Sequence, residues 1–546
     1  MRRFVFLLFF ISSVCSAGVG LVLSGGGAKG LAHIGVLKEL DKAGIRIDYV
    51  VGTSMGCIIG GLYATGYSGE ELEKIVLDED WMGLFDDKPT RKYIPMYEKD
   101  ESERYVGSFN LSPNRSFLPI GIISGQKVYV LLSRLTWNYE GIKNFRIFPI
   151  PVMCIATDLV KGDPVVLENG SLAEAMRASM SIPTIFTPVE IDGRLLVDGG
   201  VINNLPVSEA KKWGANFIIA VDAAGPAYKK EEIDSFFKVM EQVVGLTSQK
   251  ERQKERKLAN VLIPINTNKY TITDFDDAKT LIDIGQKAAE PYMAGLSKLP
   301  KEEKKNKIKK KVVHYKITSI RTEGLDKVSN NFIISSLGFS IPYDASQQDI
   351  EIAIEKIYGT QFFESVTYDI EPSFRGEYEL IIKVKERSTS LLRFGFNYSS
   401  YTKASLLLNT TFKNMFIKDS RLSLDFNLSE NPAFRTQYYM YSSRKPGFGF
   451  RSELLFNKFN IATFQNGGAQ ANYRFSYYAL SLNVETNFSN YMLLGVGVDK
   501  EFTTRNPINA SNQFTKSYDE FLTLAAFFRL DTLDSMVYPK KGIKID

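Results

Sequence analysis

From Val19 to about Ile265, short β-rich apolar runs alternate with stretches whose apolar residues recur at helical spacing. The runs are Val19 to Leu23, Tyr49 to Val51, Val152 to Ala156 and Phe217 to Val221; the helical patterns include Leu31 to Leu40 and Leu172 to Met180. Strands separated by helices predict a parallel sheet covered on both faces, a three-layer α/β/α domain. A further helix around Phe275 to Leu296 completes it, giving a first domain over residues 18–297. Lys298 to Lys311 is mostly Lys and Glu and reads as a solvated tether with no core of its own.

After the tether the pattern predicts strands at His314 to Ile320, Val366 to Ile370 and Glu379 to Val384, and helices at Asn330 to Leu337 and Gln348 to Lys356. Together they form a small α/β module over residues 312–387. From residue 388 to 546 near-strict alternation over successive segments takes over. Leu422, Leu424, Phe426 and Leu428 interleave with Ser423, Asp425, Asn427 and Ser429, and Leu392 to Tyr398 and Leu480 to Phe488 repeat the scheme. Segments of about ten residues with period two are the signature of an antiparallel transmembrane β-barrel. A soluble sandwich shares this alternation, but the density of Tyr and Phe near strand ends favours the membrane.

The N-terminus supports export. Met1-Arg2-Arg3 precedes an uncharged run from Phe4 to Ile11, and Ser12 to Ala17 supplies small residues for cleavage, so residues 1–17 read as a signal peptide. The run is far shorter than the roughly 20 residues of a spanning helix. Two cysteines then remain, Cys57 and Cys154, both in apolar stretches, and they read as buried free thiols. A net charge of +5 on 67 basic and 62 acidic residues gives no nucleic-acid footprint. With only His33 and His314 in the chain, a His-rich metal site is excluded and no cofactor is called for.

The first strand runs into Gly25-Gly26-Gly27-Ala28-Lys29-Gly30 and then a helix. Bare amides at a helix N-terminus welcome negative charge, but a dinucleotide-binding turn looks the same, and Asp48 lies near the place of its ribose-binding acid. The next block favours another chemistry. Asp48 to Val51 leads directly into Gly52-Thr53-Ser54-Met55-Gly56 and an apolar helix, the strand-turn-helix context of a nucleophile elbow. A Ser-His-Asp triad needs a histidine late in the domain. None is there, since His33 sits in the glycine-loop helix, where a packing role is expected, and His314 lies beyond the tether. A carboxylate is left as the base, and Val197-Asp198-Gly199-Gly200 offers one. An acid near its ordinary pKa of about 4 is a feeble base, so proton transfer must be coupled to oxyanion stabilisation.

These three blocks resemble those of patatin-like phospholipases, in the same order, over roughly Val19 to Leu296. The resemblance extends to Ala156-Thr157-Asp158-Leu159, Ala178-Ser179 to Pro188 and Asn203-Asn204-Leu205-Pro206. It implies a patatin-type fold with Ser54 and Asp198 as a catalytic dyad and Gly25, Gly26, Gly27 and Gly30 as oxyanion hole. Lys29, Gly52, Gly56, Gly199 and Gly200 would support them. The implied reaction is hydrolysis of a phospholipid or other lipid ester through an acyl-serine, without metal or cofactor. Ile182 to Phe186 suits an acyl-chain wall or core packing equally.

The module over residues 312–387 is similar to a POTRA domain, and the following region resembles the barrels of outer-membrane assembly and two-partner secretion proteins, with Asp534, Pro539 and Gly542 in a related spacing. The outer membrane is then the expected partner and location, with the hydrolase domain at the cell surface or in the periplasm. Those barrels need more strands than Thr389 to Asp546 can supply at roughly ten residues each plus turns, so a truncated barrel is expected. The competing reading is an outer-membrane translocation or assembly protein whose first domain is cargo; an NAD-binding oxidoreductase rests on the glycine loop alone. Oligomeric state is not legible.

Overall fold

The structure, a computed structural model, describes residues 18–546 apart from 103, 112–119, 302–312, 400–402, 418–419, 442–446, 466–467, 510–515 and 537. The expected signal peptide and most of the expected tether lie outside the described residues. Two compact units are present, one of residues up to 86 with 127–312, the other of residues 87–126 with 313–546. Residues 87–126, inside the first domain by sequence, thus pack with the second unit.

The first unit is built on an eight-stranded sheet. Its strands are β1 (Val19–Leu23), β2 (Tyr49–Thr53), β3 (Val152–Asp158), β4 (Pro164–Leu167), β5 (Val189–Ile191), β6 (Arg194–Asp198), β7 (Phe217–Asp222) and β8 (Val261–Pro264). The order is β8-β7-β1-β2-β3-β6-β5, with β4 beside β3. The five strands from β8 to β3 are parallel, whereas β4, β5 and β6 join antiparallel. The sheet is therefore mixed at one side, because β5 and β6 form a hairpin through Asp192 and Gly193, both at positive φ. Strands β1 and β3 are buried throughout, as expected when helices cover both faces. The helices are α1 (Ala32–Lys42), α2 (Met55–Ala64), α3 (Leu172–Ser179), α4 (Phe236–Leu258) and α5 (Ala278–Leu296), among others.

Cys57 and Cys154 are joined in a disulfide, correcting the expectation of free thiols. Their separation of 97 residues hides the pairing from sequence, but β2 and β3 are neighbours, with Gly52 opposite Cys154, and Cys57 lies in the first turn of α2, the helix that leaves β2.

In the second unit a four-stranded sheet (Tyr343–Ala345, Tyr315–Glu323, Tyr378–Glu386, Phe363–Pro372, in that order) carries helices Asn330–Leu337 and Gln347–Gly359. A ten-stranded sheet follows, all of its pairings antiparallel. Its alternation is inverted relative to a soluble core: Ser423, Asp425, Asn409 and Thr411 are buried, while Leu428, Leu482, Val484, Val496 and Leu524 are exposed. Polar-in, apolar-out is the pattern of a lipid-facing barrel wall and not of a sandwich. Within residues 87–126, Glu98 and Arg91 meet buried charges of this region, Glu98 pairing with Arg421 at 3.0 Å and Arg91 with Asp531 at 2.5 Å. The strand Gly107–Asn110 of the same segment pairs with Ser390–Ser399. No helix among the described residues is long and apolar enough to cross a membrane, which says nothing of crossing by strands.

Candidate functional site

β2 enters α2 through a turn that only small residues permit. A Cβ on Gly52 would lie 2.4 Å from the Gly56 carbonyl oxygen, and one on Gly56 would lie 2.3 Å from that of Leu23. Between them Ser54 takes φ 53° and ψ −125°, a region costly for any side chain and typical of strained functional turns. Ser54 caps α2, so the positive end of the helix dipole lies at its hydroxyl. Its own amide donates to Ser179 Oγ at 2.9 Å, and that hydroxyl donates to the Ile155 carbonyl at 2.6 Å.

Ser54 Oγ donates to Asp198 Oδ2 at 2.6 Å across 144 residues of sequence. Asp198 ends β6; its other oxygen accepts the Gly200 amide at 2.7 Å, and its backbone is fixed by its amide to Ser181 and by Thr157 Oγ1 to its carbonyl. With 4% of its surface exposed, the carboxyl is pushed up to about 6 by burial, against the opposing effect of the bonds from Ser54 and Gly200. Near neutrality it is ionised yet far more basic than a solvated aspartate.

The glycine loop folds as a 3-10 helix, Gly27–Leu31. The first amides of a helix have no partner within it, and Gly26 and Gly27 line the cavity that also holds Ser54, Asp198 and Gly200. Gly25 and Gly30 are differently engaged. The Gly25 amide donates to the side chain and carbonyl of Asn204, and Gly30 packs against Met55, closer than a Cβ would allow. Gly199 opens the turn after Asp198. Lys29 is buried, with its ammonium paired to Glu241 of α4 and 5.8 Å from the centre of the Tyr228 ring.

His33 is fully buried, its Nε2 2.8 Å from the Ser24 carbonyl oxygen, and burial lowers its pKa to about 4. It is neutral at pH 7 and packs behind the loop, as the sequence suggested. Asp48 accepts the Val19 amide at 2.8 Å and pairs with Arg46 at 2.9 Å, a structural duty that leaves the dinucleotide reading without its acid. Of the stretch Ile182 to Phe186 only Ile182 lines the cavity, while Ile185 and Phe186 are buried. Sequence reasoning missed Tyr228, Glu241 and Arg252, which also line it; Asn204 and Ser179 stood in matching segments, but nothing in the sequence gave their roles. Glu241 and Arg252 lie on α4 and Tyr228 on the segment before it, and the sequence carried no signal that singled them out.

Residues 21–211 match the family described as patatin-like phospholipase, and residues 378–546 match the OMP85 superfamily. Lysophospholipase NTE1 of Scheffersomyces stipitis is 34% identical over 212 residues, which cover 37% of this chain and 12% of that protein. The chain thus spans about an eighth of the length of this curated relative. Among solved structures, VipD from Legionella pneumophila aligns over 51% of this chain and 67% of its own at 17% identity and a TM-score of 0.31. BamA from Haemophilus ducreyi aligns over 42% and 46% at 18% identity and a TM-score of 0.33. Both structural likenesses are too distant to bear on function.

Proposed function

From a chain that joins a patatin-like phospholipase domain to an OMP85-superfamily region, we propose a serine hydrolase of phospholipid or lysophospholipid acyl esters, exported and held at the outer membrane by its C-terminal sheet. The observation that carries it is the 2.6 Å bond from Ser54 Oγ to a buried carboxylate whose pKa lies near 6. As Oγ attacks the ester carbonyl carbon, its proton passes to Asp198 Oδ2. The negative oxygen so formed is met by the amides of Gly26 and Gly27 and by the N-terminus of α2. Collapse breaks the ester C–O bond, and the leaving alcohol takes the proton back from Asp198. Water then repeats the sequence on acyl-Ser54 and releases the fatty acid.

Export is supported by the Cys57–Cys154 disulfide, which belongs to an oxidising compartment. Membrane attachment is supported by the apolar residues exposed on the ten-stranded sheet. The four-stranded module before it would serve as a POTRA-like adaptor. The test is fatty-acid release from phospholipid and lysophospholipid micelles by the full chain, followed by mass spectrometry. Release by the native protein that Ser54→Ala abolishes is expected; equal release by both ends the hydrolase reading and leaves the cargo reading in its place.

A further inference from the structure

Lys29 is 3% exposed, in the same short helix whose leading amides line the cavity beside Ser54. An ammonium so withdrawn from water must have an anion beside it. In this structure the anion is Glu241, carried by α4 across the same cavity. One Glu241 oxygen takes Lys29, and the other accepts the Tyr228 hydroxyl at 2.7 Å, while the Tyr228 amide donates to Gln242 at 2.8 Å. Lys29 and Tyr228 thus form a two-armed cradle around a carboxylate. The second cation of the cavity, Arg252, lies near Asp222 and donates to the carbonyls of Ala224 and Gly225. Lys29 is therefore the cation whose partner sits on an element facing the cavity and can be exchanged without breaking the loop.

On the hydrolase reading, we propose that Glu241 stands in for the phosphate of the substrate, and that Lys29 with Tyr228 selects ester lipids carrying that group close to the scissile ester. A phosphate can replace the carboxylate because it supplies both a negative charge for the ammonium and an acceptor for the phenol. A neutral ester lipid cannot, since displacing Glu241 would strand a buried ammonium. Glu241 is thus an internal competitor that sets how strongly the phosphate is preferred.

The experiment uses the full chain in one detergent and two lipids with the same acyl chain and ester, 1-oleoylglycerol 3-phosphate and 1-oleoylglycerol. The readout is the ratio of kcat/KM for the first to that for the second, so a general loss of activity cancels. A native ratio above one is expected, falling about tenfold in Lys29→Met and severalfold in Tyr228→Phe, and rising severalfold in Glu241→Gln. Should Lys29→Met not fold, the two other variants decide the matter alone. Inorganic phosphate, tested as inhibitor of 1-oleoylglycerol hydrolysis, is expected to act more strongly on Glu241→Gln than on the native protein if the cradle also takes the free ion. Altered ratios without that inhibition support recognition of the lipid phosphate alone. Ratios unchanged within about twofold in all folded variants, with both lipids hydrolysed, overturn the proposal. Hydrolysis of neither lipid by the native chain overturns the hydrolase reading and this one with it.

Discussion

Replacing Asp198 by asparagine is expected to stabilise the protein while disabling it. The native carboxyl moves from 3.8 to about 6, chiefly through burial, and the bonds from Ser54 and Gly200 offset only part of that effect. At about 1.4 kcal/mol per tenfold in acidity, the ionised form is destabilised in the folded state by about 3 kcal/mol. The sign follows from which state holds the proton. The unfolded chain loses it near pH 4 and the folded chain near pH 6, so the native form is favoured below this window, loses stability across it and stays penalised above. Asparagine keeps an acceptor for the Gly200 amide and a polar contact for Ser54, but carries no charge to desolvate. All three tryptophans, Trp81, Trp137 and Trp213, lie in the unit that holds Asp198. Urea unfolding followed by tryptophan fluorescence therefore reports on that unit within the full chain. The two proteins are expected to match near pH 4, and Asp198→Asn to be more stable by up to about 3 kcal/mol at pH 8. A native protein at least as stable as the variant at pH 8, or a difference that does not change with pH, refutes the reasoning.

Two further outcomes follow from the same geometry. Because Asp198 must be ionised to accept a proton, kcat/KM should rise with pH, reach half its maximum at about 6 and level off about one unit higher; a rate profile displaced to an apparent pKa near 4 would mean that burial does not raise this acid. The Cys57–Cys154 disulfide closes a loop of 97 residues, so the double serine variant should lose about 2–5 kcal/mol in the fluorescence-monitored urea titration, and an unchanged midpoint would contradict the linkage.

Much of the architecture was legible because local pattern and tertiary placement agree. The run Val19 to Leu23 is a strand because β-branched and leucine side chains can be buried on both faces of a parallel sheet, and the helix Asn330–Leu337 falls where its pattern put it. The strain at Ser54 was equally readable, since Gly52 and Gly56 are required by the backbone that crowds them. Legibility failed where the cause lies across long sequence separation. The disulfide depends on β2 lying beside β3, the 87–126 segment on complementary charges more than 300 residues away, such as Arg421 for Glu98. In the site, the glycine loop reads as four equivalent amides, yet Asn204 occupies that of Gly25. Glu241 stayed hidden because a glutamate on a long polar helix has no distinguishing neighbour in sequence.

The central claim is that Ser54 is a nucleophile made reactive by Asp198, and the most direct measurement is the site and rate of labelling by a fluorophosphonate. Peptide mass spectrometry of the full chain should place a single adduct on Ser54, formed quickly at pH 8, slowly at pH 5 and hardly at all in Asp198→Asn. An adduct on another serine, or labelling of Ser54 at the same rate in Asp198→Asn, would contradict it.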